Sequence, residues 1–328
     1  MKPILFKNYY VTLILCLTTI FTAYDINKVY SCELCSLGGF GGSTGAVNPI
    51  SAESPAKNKY TLGYIMEYQD WESVSINKAH ELHEEGCDAH ARKSDFSNSI
   101  FLGYGITDSV SISLQVPYVV RYSKEVHEEE FLGENQKSTG LGDSILLGKY
   151  KIYDKQFGLA GIFGLKLPTG TTGERNEAGE KFEPELQPGT GSLDFMFGIS
   201  ANKKINHLII LDGTLLYHLK TEGDQDYEFG DIIRATAGAT FNVINKEKKP
   251  TLSLLSEVIS QFANKDEREG ETIRDSGGTT IFFAPGVSSK LTEQLKTTVS
   301  VPVPVFQSLG GIHQELDFNV LLGMSYSF

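Results

Sequence analysis

The sequence predicts an all-β protein, a closed antiparallel transmembrane β-barrel of about 12 strands with short periplasmic turns and longer external loops. Three observations lead to this prediction. Beyond residue 57, apolar residues recur at every second position in about twelve segments, which is the period of a β-strand. Short and long links alternate between these segments. The number of segments is even, as in bacterial outer-membrane barrels.

The last segment shows the alternation most clearly. From Leu316 to Phe328 every second residue is apolar, and the residues between them are polar or small except Leu321. Period-two patterning over this length exceeds what a typical soluble strand needs. One face of the strand is therefore expected to contact apolar surroundings and the other to contact water.

The remaining segments follow the same pattern. In 109–121 the apolar residues alternate mainly with Ser, and in 233–242 they alternate with Arg, Thr, Gly and Asn. In chain order, the predicted strands cover 58–70, 96–106, 109–121, 142–153, 156–168, 191–203, 206–220, 229–243, 250–262, 278–288, 294–305 and 315–328.

The links between the segments test the prediction independently. The even-numbered strands are followed by short links, and the odd-numbered strands by longer, mostly polar ones, notably 71–95, 122–141, 169–190 and 263–277. A secreted soluble β-sandwich, the alternative, has no reason for this strict order. In lipid an open sheet edge would leave backbone groups unpaired, so the sheet must close.

The N-terminus predicts export from the cytoplasm. The run from Tyr9 to Ala23 is too short for a spanning helix, and it follows Lys2 and Lys7 as the apolar part of a secretory signal does. We expect a signal peptide over 1–31. The net charge of −12 excludes nucleic-acid binding as a function, because that affinity depends on neutralising phosphates.

Residues 32–56 are predicted to form a flexible N-terminal segment, long enough to enter the lumen as a plug of the barrel formed by 57–328. Cys32 and Cys35 are candidates for a disulfide in an oxidising compartment or for an N-terminal metal clip. A thioredoxin-like role would need a βαβ setting, which the Gly-rich and Ser-rich neighbours do not provide.

The first long link carries the richest group of potential metal ligands. His80 and His83 are three residues apart, and Cys87 and His90 repeat that spacing. Imidazole and thiolate donors suit Zn or Cu. The alternative is an acidic, solvated loop that binds no metal.

The alternation also predicts which charged residues face the lumen. They either set the selectivity of a water-filled pore or pair with one another across a closed interior. No catalytic Ser and His arrangement is recognisable, so we expect no enzyme. The lumen candidates are Lys166, Asp194, Asp212, His218, Arg234, Glu257, Lys296 and Asp317.

Several short motifs resemble those of a known family. They are 50–56 (ISAESPA), 103–108 (GYGITD), 140–143 (GLGD), 164–170 (GLKLPTG) and 187–192 (QPGTGS). They are similar to motifs of the outer-membrane proteins grouped with the meta-pathway phenol-degradation family. The resemblance covers about residue 36 to the C-terminus. It implies a barrel usually labelled a transporter, with a hydrophobic or aromatic cargo.

Together these observations predict a bacterial outer-membrane channel for small molecules. Its expected partners are outer-membrane lipid, the small-molecule cargo and the barrel-assembly machinery, because the C-terminal aromatic resembles the signal which that machinery reads. No cofactor is expected apart from the Zn or Cu named above. Two alternatives remain: a surface barrel that captures Zn or Cu on its first external loop, and a barrel with a purely structural role.

Overall fold

The computed structural model describes residues 55–71, 91–126, 131–244, 250–274, 276–309 and 316–328. These residues form a closed antiparallel β-barrel of twelve strands. The strands are β1 Tyr60–Trp71, β2 Ala91–Gly105, β3 Val110–Val126, β4 Phe131–Leu141 with Ser144–Asp154, β5 Gly158–Leu167, β6 Asp194–Lys204, β7 Ile209–Leu219, β8 Ile232–Ile244, β9 Leu252–Ala263, β10 Gly278–Lys290, β11 Leu295–Ser300 with Val303–Leu309, and β12 Leu316–Ser327.

Two barrel strands are each built from two parts. Both parts of β4 pair with β3, and both parts of β11 pair with β10. The break in β11 falls at Val301 and Pro302, and a proline cannot donate to the ladder. At this break the Val301 amide donates to the Pro285 carbonyl of β10, and the Asn319 amide of β12 donates to the Pro302 carbonyl, both at 3.0 Å.

The first and last strands close the barrel. β1 pairs with β12 along its length, and Tyr60 and Phe328 exchange both backbone hydrogen bonds at 3.0 Å. Their rings stack with centroids 5.7 Å apart, and the Tyr104 ring lies 4.7 Å from that of Tyr60. The closing edge is therefore a cluster of aromatic rings, as at the interface girdles of membrane barrels.

Side chains alternate between the two faces of the wall. Outward side chains are large, apolar and exposed, such as Ile100, Phe163, Ile199 and Leu215. Exposed apolar residues over the whole outer surface are what a lipid-facing wall requires, because lipid and not water surrounds them. Inward side chains are mostly buried, and they include both polar and apolar residues.

The two ends of the barrel differ. One end, the short-turn end, carries the links 106–109, 155–157, 205–208, 245–251 and 291–294. The other, the long-loop end, carries 72–90, 127–130, 168–193, 220–231, 264–277 and 310–315. At the short-turn end the Thr107 hydroxyl accepts a hydrogen bond from the Val110 amide at 2.9 Å, which fixes a tight hairpin.

The long-loop end contains the remaining regular structure of the described residues. A three-stranded sheet joins Tyr227–Glu228, Glu267–Arg268 and Glu271–Thr272, so it ties the β7–β8 loop to the β9–β10 loop. Single-turn 3₁₀ helices cover Pro184–Leu186 and Asp224–Asp226. None of the described helices has the length and apolar character to cross a membrane.

The prediction of a closed twelve-stranded barrel is confirmed. The main difference lies at the long-loop end, where 122–141 was predicted as a link but is largely strand, because β3 continues to Val126 and β4 begins at Phe131. Likewise β2 begins at Ala91 and not at residue 96. Where their side chains are described, these extensions carry polar residues on both faces, such as buried Gln136 and exposed Lys137, so they show no alternation.

Candidate functional site

The lumen of the barrel contains apolar surface. A first cluster of inward-facing residues runs along β4 to β9, and a second lies between β1, β9, β10 and β12. Lumens of water-filled porins are polar, so apolar patches facing inward are a specific feature of this chain. The first cluster is Ile145, Leu147, Ile162, Met196, Leu216, Ile232 and Ala263, and the second is Trp71, Ile259, Phe282, Ala284 and Leu316.

Polar atoms accompany the second cluster. A cavity of about 30 Å³ lies between this cluster and a polar side. Trp71 and Phe282 line it together with Glu67, Arg234, Gln261 and Asn319. The indole nitrogen of Trp71, the amide nitrogen of Gln261 and the amide oxygen of Asn319 are buried and have no hydrogen-bond partner among the described residues. An apolar surface with a few convergent polar atoms is typical of small-molecule sites.

The β5–β6 loop, residues 168–193, folds across the long-loop end, and we call it the inward-folded loop. Its Phe182 and Leu186 are each 1% exposed. The guanidinium groups of Arg92 and Arg121, on β2 and β3, both donate to the carbonyl of Glu185, Arg92 at 2.6 Å. The loop therefore reaches from β5 and β6 past β4 to β2 and β3.

Asp143 anchors both arms of the inward-folded loop. Its carboxylate accepts hydrogen bonds from the Gly170 amide at 2.9 Å and from the Thr190 amide at 2.8 Å. It also accepts the Thr190 hydroxyl at 2.7 Å and pairs with the Lys166 ammonium at 2.9 Å. One buried carboxylate thus holds the start of the loop, its end and the adjacent wall.

Two glycines allow this close approach. A Cβ on Gly170 would lie 2.6 Å from the Gly189 Cα, and a Cβ on Gly189 would lie equally close to the Gly170 Cα. Real Cβ atoms do not tolerate such contacts, so the two arms can cross only with glycine at both positions. Three of the motifs quoted above (140–143, 164–170 and 187–192) therefore meet at this one anchor.

The anchor continues into a buried cluster of charges. Asp194 lies 3.2 Å from the Lys166 ammonium, 3.3 Å from the Lys220 ammonium and 3.3 Å from the His218 imidazole. All four side chains are at most 4% exposed. Two carboxylates, including that of Asp143, face two ammonium groups, so the charges balance without solvent. Three of the predicted lumen residues, Lys166, Asp194 and His218, therefore lie in one cluster.

The other predicted lumen residues are spread along the barrel. Glu257 is buried, and it and Glu67 on the opposite wall act electrostatically on half-buried Arg234. Asp212 is half-buried on β7, opposite Asn202 of β6. Lys296 lies near the short-turn end.

Asp317 differs from the expectation that it faces the lumen. Trp71 pairs with Leu316 while Asp70 pairs with Phe318, so Asp317 is the extra residue at a register irregularity. An extra residue shifts the alternation locally. As a result, Leu316 is buried on the inner side and Asp317 is exposed.

Several predicted features lie outside the described residues. These are the signal peptide 1–31, nearly all of the segment 32–56 with Cys32 and Cys35, and the metal-ligand candidates His80, His83, Cys87 and His90. In the part of the chain that the structure does describe, no group of three or more His, Cys, Asp and Glu side chains is arranged to hold a metal ion.

Asp143, Glu67 and Lys220 are among the residues at these sites that did not emerge from the sequence. Asp143 lies in the break between the two parts of β4, where alternation assigns no face. Glu67 shares the inward face of β1 with the apolar Ile65 and Trp71, which hides the polar side of that strand. Lys220 directly follows β7. Only the Gly-Leu-Gly-Asp motif gave a signal for Asp143.

A buried carboxylate joins the loops at the long-loop end. Asp266 is 3% exposed, and it accepts hydrogen bonds from the Tyr227 hydroxyl and from the Gly230 amide, both at 2.6 Å. The Tyr227 hydroxyl also lies 3.2 Å from a carboxylate oxygen of Glu185 in the inward-folded loop. Burial raises the pKa of Asp266 to about 7.

The raised pKa predicts that this junction weakens at alkaline pH. Because the folded state favours the neutral acid, its stabilising contribution is complete below the unfolded pKa of about 3.9 and is lost as pH rises through about 7. Loops 220–231 and 264–277 should therefore be cleaved faster by added protease at pH 8 than at pH 5.5, after correction for protease activity. Asp266→Asn should remove this difference, whereas exposed Asp154→Asn should keep it. An unchanged pH dependence in Asp266→Asn would exclude Asp266 as its source.

At the short-turn end the lumen opens into a vestibule of about 630 Å³. Phe101 and Leu147 form apolar parts of its wall. Uncharged polar, small and charged residues form the rest of the wall, and we call this space the short-turn vestibule. Among the described residues its charged lining consists of Lys59, Lys149, Lys151, Lys290, Lys296, Asp154 and Glu293.

Among solved structures, the chain is similar to outer-membrane barrels. The COG4313 outer membrane channel from Pseudomonas putida F1 has a TM-score of 0.59 and 16% identity, covering 86% of this chain and 100% of that chain. The CymD monoaromatic hydrocarbon channel gives 0.46 and 10%, covering 93% and 99%. The KdgM porin in complex with disordered oligogalacturonate gives 0.40 and 9%, covering 82% and 99%. At these identities the likeness concerns the fold.

Sequence comparison identifies the family. No curated protein matches the chain. The profile of the MetA-pathway of phenol degradation family matches residues 87–304, which include β2 to β10 and the whole inward-folded loop. This match spans more than half of the chain and confirms the resemblance found in the motifs. The protein belongs to the MetA-pathway of phenol degradation family.

Proposed function

We propose that this protein is a bacterial outer-membrane channel for small hydrophobic or aromatic molecules. The observation that carries the proposal is the apolar cluster of Trp71, Ile259 and Phe282 facing into the lumen beside unpartnered polar atoms. Burial of an aromatic ring of a ligand there would remove apolar surface from water, and the polar atoms would bind a hydroxyl or similar group. The family membership and the fold shared with outer-membrane channels support the same function.

The geometry also indicates a gated passage. A cavity of about 30 Å³ at the second apolar cluster holds little more than water, so an aromatic ring can pass only if its surroundings move. The inward-folded loop is the candidate moving part, because polar contacts hold it across the long-loop end. In the outer membrane this end would face outward and the short-turn vestibule would face the periplasm.

We infer no enzymatic role for the chain. His218 is buried against Asp194 and Lys220, and no Ser hydroxyl is bonded to it among the described residues. Nucleophilic catalysis needs a hydroxyl within hydrogen-bond reach of its base. The cluster around Asp194 has a structural explanation, since it connects the inward-folded loop to the wall.

Uptake by intact cells tests the proposal. Gram-negative cells that lack their general porins would express the barrel or an empty vector, and the initial uptake of radiolabelled benzyl alcohol and arabinose would be measured. We expect the barrel to raise benzyl alcohol uptake several-fold more than arabinose uptake. Phe282→Asn, which makes the second apolar cluster polar, should reduce this gain, whereas Asp108→Asn, in an exposed turn outside the vestibule lining, should not. Equal or greater stimulation of arabinose uptake would contradict the proposal.

A further inference from the structure

The charge of the short-turn vestibule is opposite to that of the whole protein. Five lysines and two carboxylates occur among the described residues that line it, although the chain carries a net charge of −12. A surplus of one sign inside a low-dielectric wall focuses the field and raises the local concentration of the opposite ion. The vestibule therefore favours anions.

Two of the lysines lie directly opposite each other, so their positive charges repel. Lys290 on β10 and Lys296 on β11 are direct cross-strand partners, and both line the vestibule. Like charges directly opposite each other on one face of a sheet destabilise it. Their two positive charges also add to the positive field of the vestibule.

The inner part of the short-turn vestibule also includes apolar side chains. On β4, Lys151, Lys149 and Leu147 follow one another from the short-turn end inward on the same face. Lys149 is 7% exposed and Leu147 is 1% exposed. Phe101 of β2 adds an aromatic ring to the lining, 4% exposed. A molecule with an apolar body and an anionic end could bind here with its ring inward and its charge near the lysines.

We propose that the short-turn vestibule binds aromatic carboxylates, held by the ammonium groups of Lys149, Lys290 and Lys296 against the apolar Phe101 and Leu147. A volume of about 630 Å³ accommodates a single-ring acid. This inference depends on the proposed channel function in one respect, namely that the site lies on the route of transport. Anion binding itself can be measured without transport.

The test compares three probes that share a benzyl or phenyl group but differ in charge: benzoate, benzyl alcohol and benzylamine. Equilibrium dialysis with the refolded, full-length mature barrel in uncharged detergent gives their affinities. We expect saturable benzoate binding, about five- to ten-fold tighter than that of benzyl alcohol at low salt, and benzylamine weakest. The preference should shrink as salt is added.

Lysine variants identify the site. Lys290→Gln with Lys296→Gln relieves the repulsion of opposed charges, so this double variant should fold, as heat-modifiable gel mobility can verify. It should lose most of the preference for benzoate, and Lys149→Gln should lose part of it. Lys137→Gln with Lys265→Gln, an equal change of charge on exposed residues toward the long-loop end, should keep the preference.

Two results would overturn the inference: equal binding of the three probes, or a benzoate preference that the vestibule variants leave intact. Loss of cellular uptake with retained benzoate binding would count against the channel function alone. Uptake of benzyl alcohol without any preference for benzoate would count against the vestibule site alone.

Discussion

Asp143→Ala should lower the free energy of unfolding by about 3–5 kcal/mol, the usual cost of removing one partner of a buried ion pair. The substitution leaves the Lys166 ammonium, 3% exposed, facing Asp194 alone, and it frees the amides of Gly170 and Thr190. Guanidinium unfolding of the barrel refolded in lipid vesicles would measure the change.

The same variant should release the inward-folded loop from its anchor. Liposomes that contain Asp143→Ala should therefore swell several-fold faster in arabinose than those with the unchanged protein. The control is Asp154→Ala, which removes an exposed ion pair to Lys151 and should cost at most about 1 kcal/mol. Equal costs for the two variants would show that Asp143 is not an anchor.

Leu215→Arg on the outer face should cost about 2–4 kcal/mol, because it places a charge against the lipid interior. Leu215 is 49% exposed, lies in the middle of β7 and pairs with outward-facing Ile199. The matched control is Leu211→Arg, the same change on the same face of the same strand, close to the short-turn end. That position is near the membrane surface, so its cost should be only about 0–1 kcal/mol.

The same unfolding titration in lipid vesicles measures both costs. A barrel of the same shape in water would show two small and similar effects, because arginine on an exposed strand position is tolerated there. Equal costs at Leu215 and Leu211 would therefore contradict the assignment of the outer face to lipid.

Alternation located the strands accurately where one face meets lipid. β12 was predicted as 315–328 and is observed as Leu316–Ser327, because each outward position must be apolar. The pattern ends beyond the lipid, where Gln136 to Thr139 in the first part of β4 are polar on both faces. Asp143 lies at the end of that region, in a strand break, and only a three-dimensional structure brings it to Gly170 and Thr190.

Alternation also gave the wrong polarity for part of the lumen wall. It takes the inner face to be polar, whereas Trp71 and Phe282 face inward among apolar neighbours. Asp317 shows the opposite error, since one extra residue in the register turns a predicted lumen charge to the surface. Local sequence contains no signal for either, because both depend on contacts between distant strands.

The single tryptophan of the chain offers the most direct test of the central claim, that small aromatic molecules enter the lumen at the second apolar cluster. Trp71 is 5% exposed and faces that cluster, with the Arg92 guanidinium 5.5 Å from its ring centroid. Its fluorescence in the barrel refolded in vesicles would be titrated with nitrobenzene, with iodide and, separately, with brominated lipid. We predict saturable quenching by nitrobenzene that phenol competes away, and little quenching by iodide or brominated lipid. No quenching by nitrobenzene, or strong quenching by brominated lipid, would contradict the account.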